Sequence, residues 1–211
     1  MYSITFGKSR IMSSNEQELE GGQMNNTLEM HLKARLTAIH RIENSHVEII
    51  ERAVAELIQT FKNSGKLFIC GNGGSAADAQ HVAAEFVNGM SHPNELHLPA
   101  IALTTDTSII TSHSNDYNFD GIFEVQLKAL AKPGDCVLLL TTSGKSRNII
   151  RALKYCQDHK LTSIVITGEN SIPDNDAGLV LRIPSVDTQI IQELTLIMEH
   201  FICENVIQGL K

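Results

Sequence analysis

Between residues 25 and 62, apolar side chains recur at spacings near three and four: Leu28, Leu32, Leu36, Ile39, Ile42, Val47, Ile50, Val54, Leu57, Ile58 and Phe61. This is the period of a helix with one buried face, and Asn44-Ser45 divides it into two helices before Ser64-Gly65 closes the second. The pattern changes at Lys66. Short continuous apolar runs follow as KLFIC from Lys66, PAIALT from Pro99, CVLLLT from Cys136, SIVIT from Ser163 and LVLRI from Leu179, each bounded by Gly or polar clusters. Runs of this length and composition read as strands. Amphipathic segments lie between them at 75–90, at 108–110 with 119–130, and at 146–159. A last helix runs from near Thr188 to about Ile207, with Ile191, Leu194, Ile197, Met198, Phe201 and Ile202 on its apolar stripe. Strands apolar on both faces, alternating with helices, predict an α/β fold: a three-layer, doubly wound and mainly parallel sheet of about five strands, preceded by helices.

The division that follows is a loose polar tail over residues 1–23, N-terminal helices over 24–64 packing on the domain and on other subunits, and the α/β domain over 65–211. A chain of 211 residues suits one such domain with a helical extension. The net charge of −7 argues against a nucleic-acid surface, which needs clustered Lys and Arg. A phosphorylated small molecule is still admitted, because backbone amides at a helix N-terminus bind anions without net positive charge. Cys70, Cys136, Cys156 and Cys203 form no CxxC pair, as expected of reduced thiols in a cytoplasmic protein. No apolar run approaches the length of a membrane span, so no membrane partner is expected.

In open parallel sheets, ligands bind beyond the carboxyl ends of the strands, which selects three loops. After the first strand comes GNGGS, whose small residues bring backbone N–H groups close to a ligand but do not fit the dinucleotide or P-loop spacings. After the third comes TTSGKS, from Thr141 to Ser146, whose hydroxyls either surround a phosphate or cap the helix that follows. After the second, in SNDYN, Asn115 and Asp116 lie in a polar loop where they either bind sugar hydroxyls or make a turn.

His81 and Glu85 are four residues apart on the helix after GNGGS, so they share a face, and they read either as ligands to a divalent metal or as an ordinary solvated pair. Gln192 and His200, on the last helix, are separated by roughly 12 Å along its axis. Donors to one ion must lie closer than that, so a second subunit supplies them more easily, and the site is expected at a subunit interface.

Together CGNGGSAADAQHVAAE, PAIALTTDTS, SNDYNF, TTSGKS and IQE with a His eight residues past its Gln resemble the phosphoheptose isomerase family, built on the sugar isomerase (SIS) domain. The resemblance runs from about Leu28 to Val206. It implies a cytoplasmic homotetramer that interconverts sedoheptulose 7-phosphate and D-glycero-D-manno-heptose 7-phosphate for bacterial lipopolysaccharide core. It also implies that Asn72, Gly73, Gly74, Asn115 and Asp116 contact the sugar, and that Thr141, Thr142, Ser143 and Ser146 hold its phosphate end. His81, Glu85, Gln192 and His200 match the ligands of one zinc ion per site, Glu85 and Gln192 also meet substrate, and Glu85 and His200 match the acid/base pair.

Several positions depart from the family. Gly89 and Ile190 stand where Arg is usual, Thr195 where His is common, and TGENSIPDNDAG lacks a glycine cluster. These departures point to altered phosphate or sugar recognition. Two rival functions share the fold: a non-catalytic SIS tetramer that binds a replication initiator, and a sugar-phosphate sensor. Retention of Glu85 and His200 argues for the enzyme.

Overall fold

The computed structural model describes residues 14–43, 46–90, 96–169 and 178–211. The helical elements are α1 (Ser14–Glu43), α2 (Val47–Lys62), α3 (Gly74–Asn88), α4 (Thr107–Asp116), α5 (Ile122–Leu130), α6 (Arg147–Asp158) and α7 (Thr188–Gly209), with a 3-10 turn at Phe119–Gly121. The strands are β1 (Leu67–Cys70), β2 (Ala100–Ala102), β3 (Cys136–Thr141), β4 (Thr162–Gly168) and β5 (Leu179–Ile183). Thus α1 begins inside the segment expected to be a loose tail. The Asn44-Ser45 break lies outside the described residues, as do residues 1–13 and most of TGENSIPDNDAG. No described helix is long and apolar enough to cross a membrane.

All five strands pair in parallel in the order β2-β1-β3-β4-β5. Alternate residues of each strand enter opposite cores. Leu67, Ile69, Cys136, Leu138, Leu140, Ile164 and Ile166 pack with α2, α3 and α7, whereas Phe68, Cys70, Val137, Leu139 and Val165 pack with α5 and α6. This double burial explains why β1 and β3 read as continuous apolar runs. At the edges, β2 and β5 alternate between buried and more exposed positions.

The described residues divide into two compact units, with the boundary between Thr37 and Ala38. Leu28, Leu32 and Leu36 of the α1 stripe are exposed, whereas Ile42, near the end of α1, is buried.

Two carboxylates sit in contrasting surroundings. Glu124 on α5 accepts from Arg151 of α6 (Nε–Oε2 2.8 Å) and lies 2.7 Å from Lys128. Burial alone would raise its pKa, but the two cations outweigh that and hold it below the usual carboxylate range. Glu199 on α7 is 2% exposed, and among the described residues neither carboxylate oxygen has a hydrogen-bond partner. Its neighbours around a small cavity are Leu57, Val82, Phe86, Leu138, Ile164, Ile202 and Cys203. Burial, and secondarily the charge of Asp78, push its pKa up to about 8.

These carboxylates give opposite predictions. Because the pKa of Glu124 is depressed on folding, its contribution is complete above the unfolded value of about 4.3 and is lost as pH falls through the depressed one. Glu124→Gln therefore lowers the neutral-pH melting temperature by roughly 2–4 °C, the equivalent of an ion pair worth up to about 1 kcal/mol. The gap to wild type should close below pH ~4, and a pH-independent gap would assign the loss to packing instead. Glu199→Met removes two desolvated oxygens that have no partner, so the melting temperature at pH 7 rises by several degrees, corresponding to about 1–3 kcal/mol. A fall in calorimetry would show that the carboxylate holds a favourable contact.

Candidate active site

The chain leaves β1 toward β2 on one side of the sheet, while β3 leads to β4 and β5 on the other. The topological switch therefore falls between β1 and β3, where open parallel sheets bind ligands. GNGGS leaves β1 and TTSGKS leaves β3, so the two loops stand side by side.

Among the described residues, four helices begin at this edge, and their starts differ. Asp106 caps α4 by accepting from the N–H of Ile109 at 3.0 Å, and Asp187 caps α7 by accepting from those of Gln189 (2.8 Å) and Ile190 (3.3 Å). At α3 and α6 the N-cap residues are Gly73 and Ser146, and neither makes a side-chain cap bond. The first N–H groups of a helix have no partner within it and carry its positive dipole end, so these two starts suit an anion.

Within TTSGKS, Thr141 Oγ1 accepts from the N–H of Gly144 and Ser143 Oγ from that of Lys145, both at 3.2 Å. These bonds close the loop and leave each O–H hydrogen to donate elsewhere. Ser146 occupies the cap position without using its hydroxyl there. Of the two readings of this loop, capping therefore does not account for Ser146.

α3 and α7 lie side by side and run in the same direction. The Gln192 amide packs over Gly74, where a Cβ would collide with it. Farther along, His81 Nε2 lies 2.7 Å from His200 Nε2 and 3.7 Å from Glu85 Oε1. One ligand atom from each of His81, Glu85 and His200 lies within 4.8 Å of the others. The rings of His81 and His200 meet edge to face, with centroids 5.0 Å apart. The side chains of His81 and Glu85 are 42% and 24% exposed, so solvent and ligand reach them.

One chain thus brings three of the four expected metal ligands together. The Gln192 amide lies against Gly74, seven residues before His81 on α3. His200 of α7 meets His81 and Glu85 of α3 within one chain.

Asn115 and Asp116 require a correction. They form the end of α4 instead of a loop, and Asn115 Nδ2 donates to Asp116 Oδ1 at 2.8 Å. No residue of α4 is buried, so the helix has no apolar period to betray it. Neither side chain bonds to GNGGS or TTSGKS. Two further departures have local causes: Gly89 closes α3 with φ +74°, a conformation that disfavours side chains, and Ile190 is buried in the first turn of α7.

Sequence reasoning missed Asn72's partner. Asn72 of GNGGS and Asn148 of α6 exchange two side-chain hydrogen bonds. The sequence signal was faint: a single polar residue in the first turn of an amphipathic helix. Glu199 was missed too, since beside His200 it reads as a solvated charge.

A family model described as SIS domain matches residues 31–168. A phosphoheptose isomerase of Synechocystis sp. is 48% identical over 165 residues, 78% of this chain and 84% of that one. One of Aquifex aeolicus is 49% identical over 153 residues, 72% and 80% of the two chains. Among solved structures, a phosphoheptose isomerase from Neisseria gonorrhoeae matches with TM-score 0.79 and 36% identity over 87% of this chain and 98% of that one. Another, from Francisella tularensis, matches with TM-score 0.83 and 32% identity over 88% and 98%. With this fold, these loops and relatives matched over most of both lengths, the chain belongs to the phosphoheptose isomerase family of SIS-domain proteins.

Proposed function

We propose that the protein is an aldose–ketose isomerase that converts sedoheptulose 7-phosphate to D-glycero-D-manno-heptose 7-phosphate through an enediol, in bacterial heptose synthesis for lipopolysaccharide core. The observation that carries this is the convergence of His81, Glu85 and His200 within one chain, on a fold whose relatives are phosphoheptose isomerases. Moving a carbonyl from C2 to C1 requires a base beside the carbon that loses its proton and a second group to exchange protons with the oxygens. Glu85 takes the carbon-bound proton and returns it to the neighbouring carbon. His200 moves the proton between the oxygens.

The phosphate end belongs at the uncapped starts of α3 and α6, with the hydroxyls of Thr141, Thr142, Ser143 and Ser146. Asn72, Gly73 and Gly74 line the sugar, as does Gln192 over Gly74. Asn115 and Asp116, at the exposed end of α4, complete the sugar contacts.

Two imidazoles and a carboxylate whose ligand atoms lie this close suit a divalent cation, and the mixed N/O set fits zinc. His81, Glu85 and His200 would hold it, with Gln192 as fourth ligand. When bound, such an ion polarises oxygens on which negative charge develops.

The protein works as a homotetramer with sites completed at subunit interfaces. The exposed Leu28, Leu32 and Leu36 of α1 support this. Neither rival function is favoured, since an initiator-binding scaffold or a sensor has no need of the Glu85–His200 pair.

Glu85→Gln keeps the shape of the side chain and removes its basicity. With zinc-loaded protein and sedoheptulose 7-phosphate, kcat falls by about 10²–10⁴-fold while circular dichroism is unchanged; substantial residual aldose formation would refute the assignment of the base. Sedimentation of the active full chain gives the mass of four copies. A fully active monomer would remove the interface from the mechanism.

A further inference from the structure

Asn148, in the first turn of α6, is 2% exposed and carries a chain of hydrogen bonds from that helix to the GNGGS loop. Its Oδ1 accepts from the N–H of Ile149 at 2.9 Å and from Asn72 Nδ2 at 2.9 Å, while its Nδ2 donates to Asn72 Oδ1 at 2.8 Å. A backbone N–H can only donate, so the Asn148 atom facing Ile149 must be the oxygen. That choice fixes the direction of the whole pair. Asn72 then turns its oxygen toward the Asn148 NH2 group and one N–H toward the Asn148 oxygen. One N–H and one lone pair of the partly exposed Asn72 amide are left for a ligand.

We propose that Asn148 is a positioning residue of the sugar-phosphate site, which sets the rotamer and amide orientation of Asn72 and ties the loop after β1 to the helix after β3. This rests on the isomerase function proposed above, in which Asn72 meets substrate. The pair spans the switch point, so it holds the two ligand-facing segments at a fixed separation. Without it, Asn72 is free to rotate, and either its oxygen or its NH2 group faces the sugar.

Asn148→Asp tests this. An aspartate keeps the acceptor for the N–H of Ile149 and suits the positive start of α6, so the fold is retained. It cannot donate to Asn72, whose oxygen then faces a carboxylate. A purely structural Asn148 predicts an unchanged KM. Positioning predicts that KM for sedoheptulose 7-phosphate rises roughly ten- to a hundredfold, the scale expected when a buried polar pair is broken, while circular dichroism stays that of the wild type. kcat should change by less than about threefold, because the lost contact is one of uniform binding.

The new charge could act on the phosphate directly, and Asn72→Ala separates the two causes. If Asn148 works through Asn72, Asn72→Ala and the double variant have the same KM, whereas a further loss in the double variant overturns the proposal. Asn148→Ser, which adds no charge, should repeat the KM effect. Side-chain amide NMR reads the pair even without turnover: the Asn72 NH2 resonances leave their wild-type positions in Asn148→Asp, where a carboxylate replaces the amide they face, and unmoved resonances overturn the proposal. An inactive wild type would overturn the isomerase function instead.

Discussion

The parallel pairing of β1 with β3 is the constraint on which the site depends. Leu67 pairs with Cys136 and Cys70 with Leu139, so β3 runs two residues past the end of β1. The chain leaves the two strands in opposite directions around the sheet, and the GNGGS and TTSGKS segments are left side by side over the gap. Neither loop has to find the other by its own contacts. The hydrogen bonds of the ladder place both, and double burial of the two strands makes their register hard to slip, since a shift by one residue would exchange the cores on the two faces.

A second arrangement is built on this frame. α3 and α7 pack along the same face, with Ala79, Val82, Ala83 and Phe86 of one and Ile191, Leu194, Ile202 and Val206 of the other in one core. Their apolar stripes fix the rotation of each helix about its axis. On α3 that rotation turns His81 and Glu85 outward together; on α7 it turns His200 toward them and leaves Glu199 inside. The position of the histidines is thus a by-product of burying their apolar neighbours. The orphaned Glu199 is a local loss accepted by a helix whose other buried positions are mostly apolar.

Much of this was legible in the sequence, because strands buried on both faces leave continuous apolar runs and buried helices leave a period. The loops after the strands follow from the topology, and His81 with Glu85 from helical spacing. What escaped notice had no such signature. α4 buries nothing, so its end read as a loop around Asn115 and Asp116. The convergence of His200 with His81 depends on two helices meeting in space, and axial spacing along one helix could not reveal it. Asn148 was invisible for a similar reason: its importance lies in a partner 76 residues away.

The contrast between the helix starts also gives the sheet edge a polarity. Asp106 and Asp187 place fixed negative charge at α4 and α7, while Gly73 and Ser146 leave α3 and α6 without it. A molecule with one anionic end and one neutral end meets fixed negative charge at two of these starts and no N-cap carboxylate at the other two. This contrast in charge favours one orientation of such a molecule over the reverse before any reacting group touches it. Head-to-tail discrimination is written here in the absence of two carboxylates.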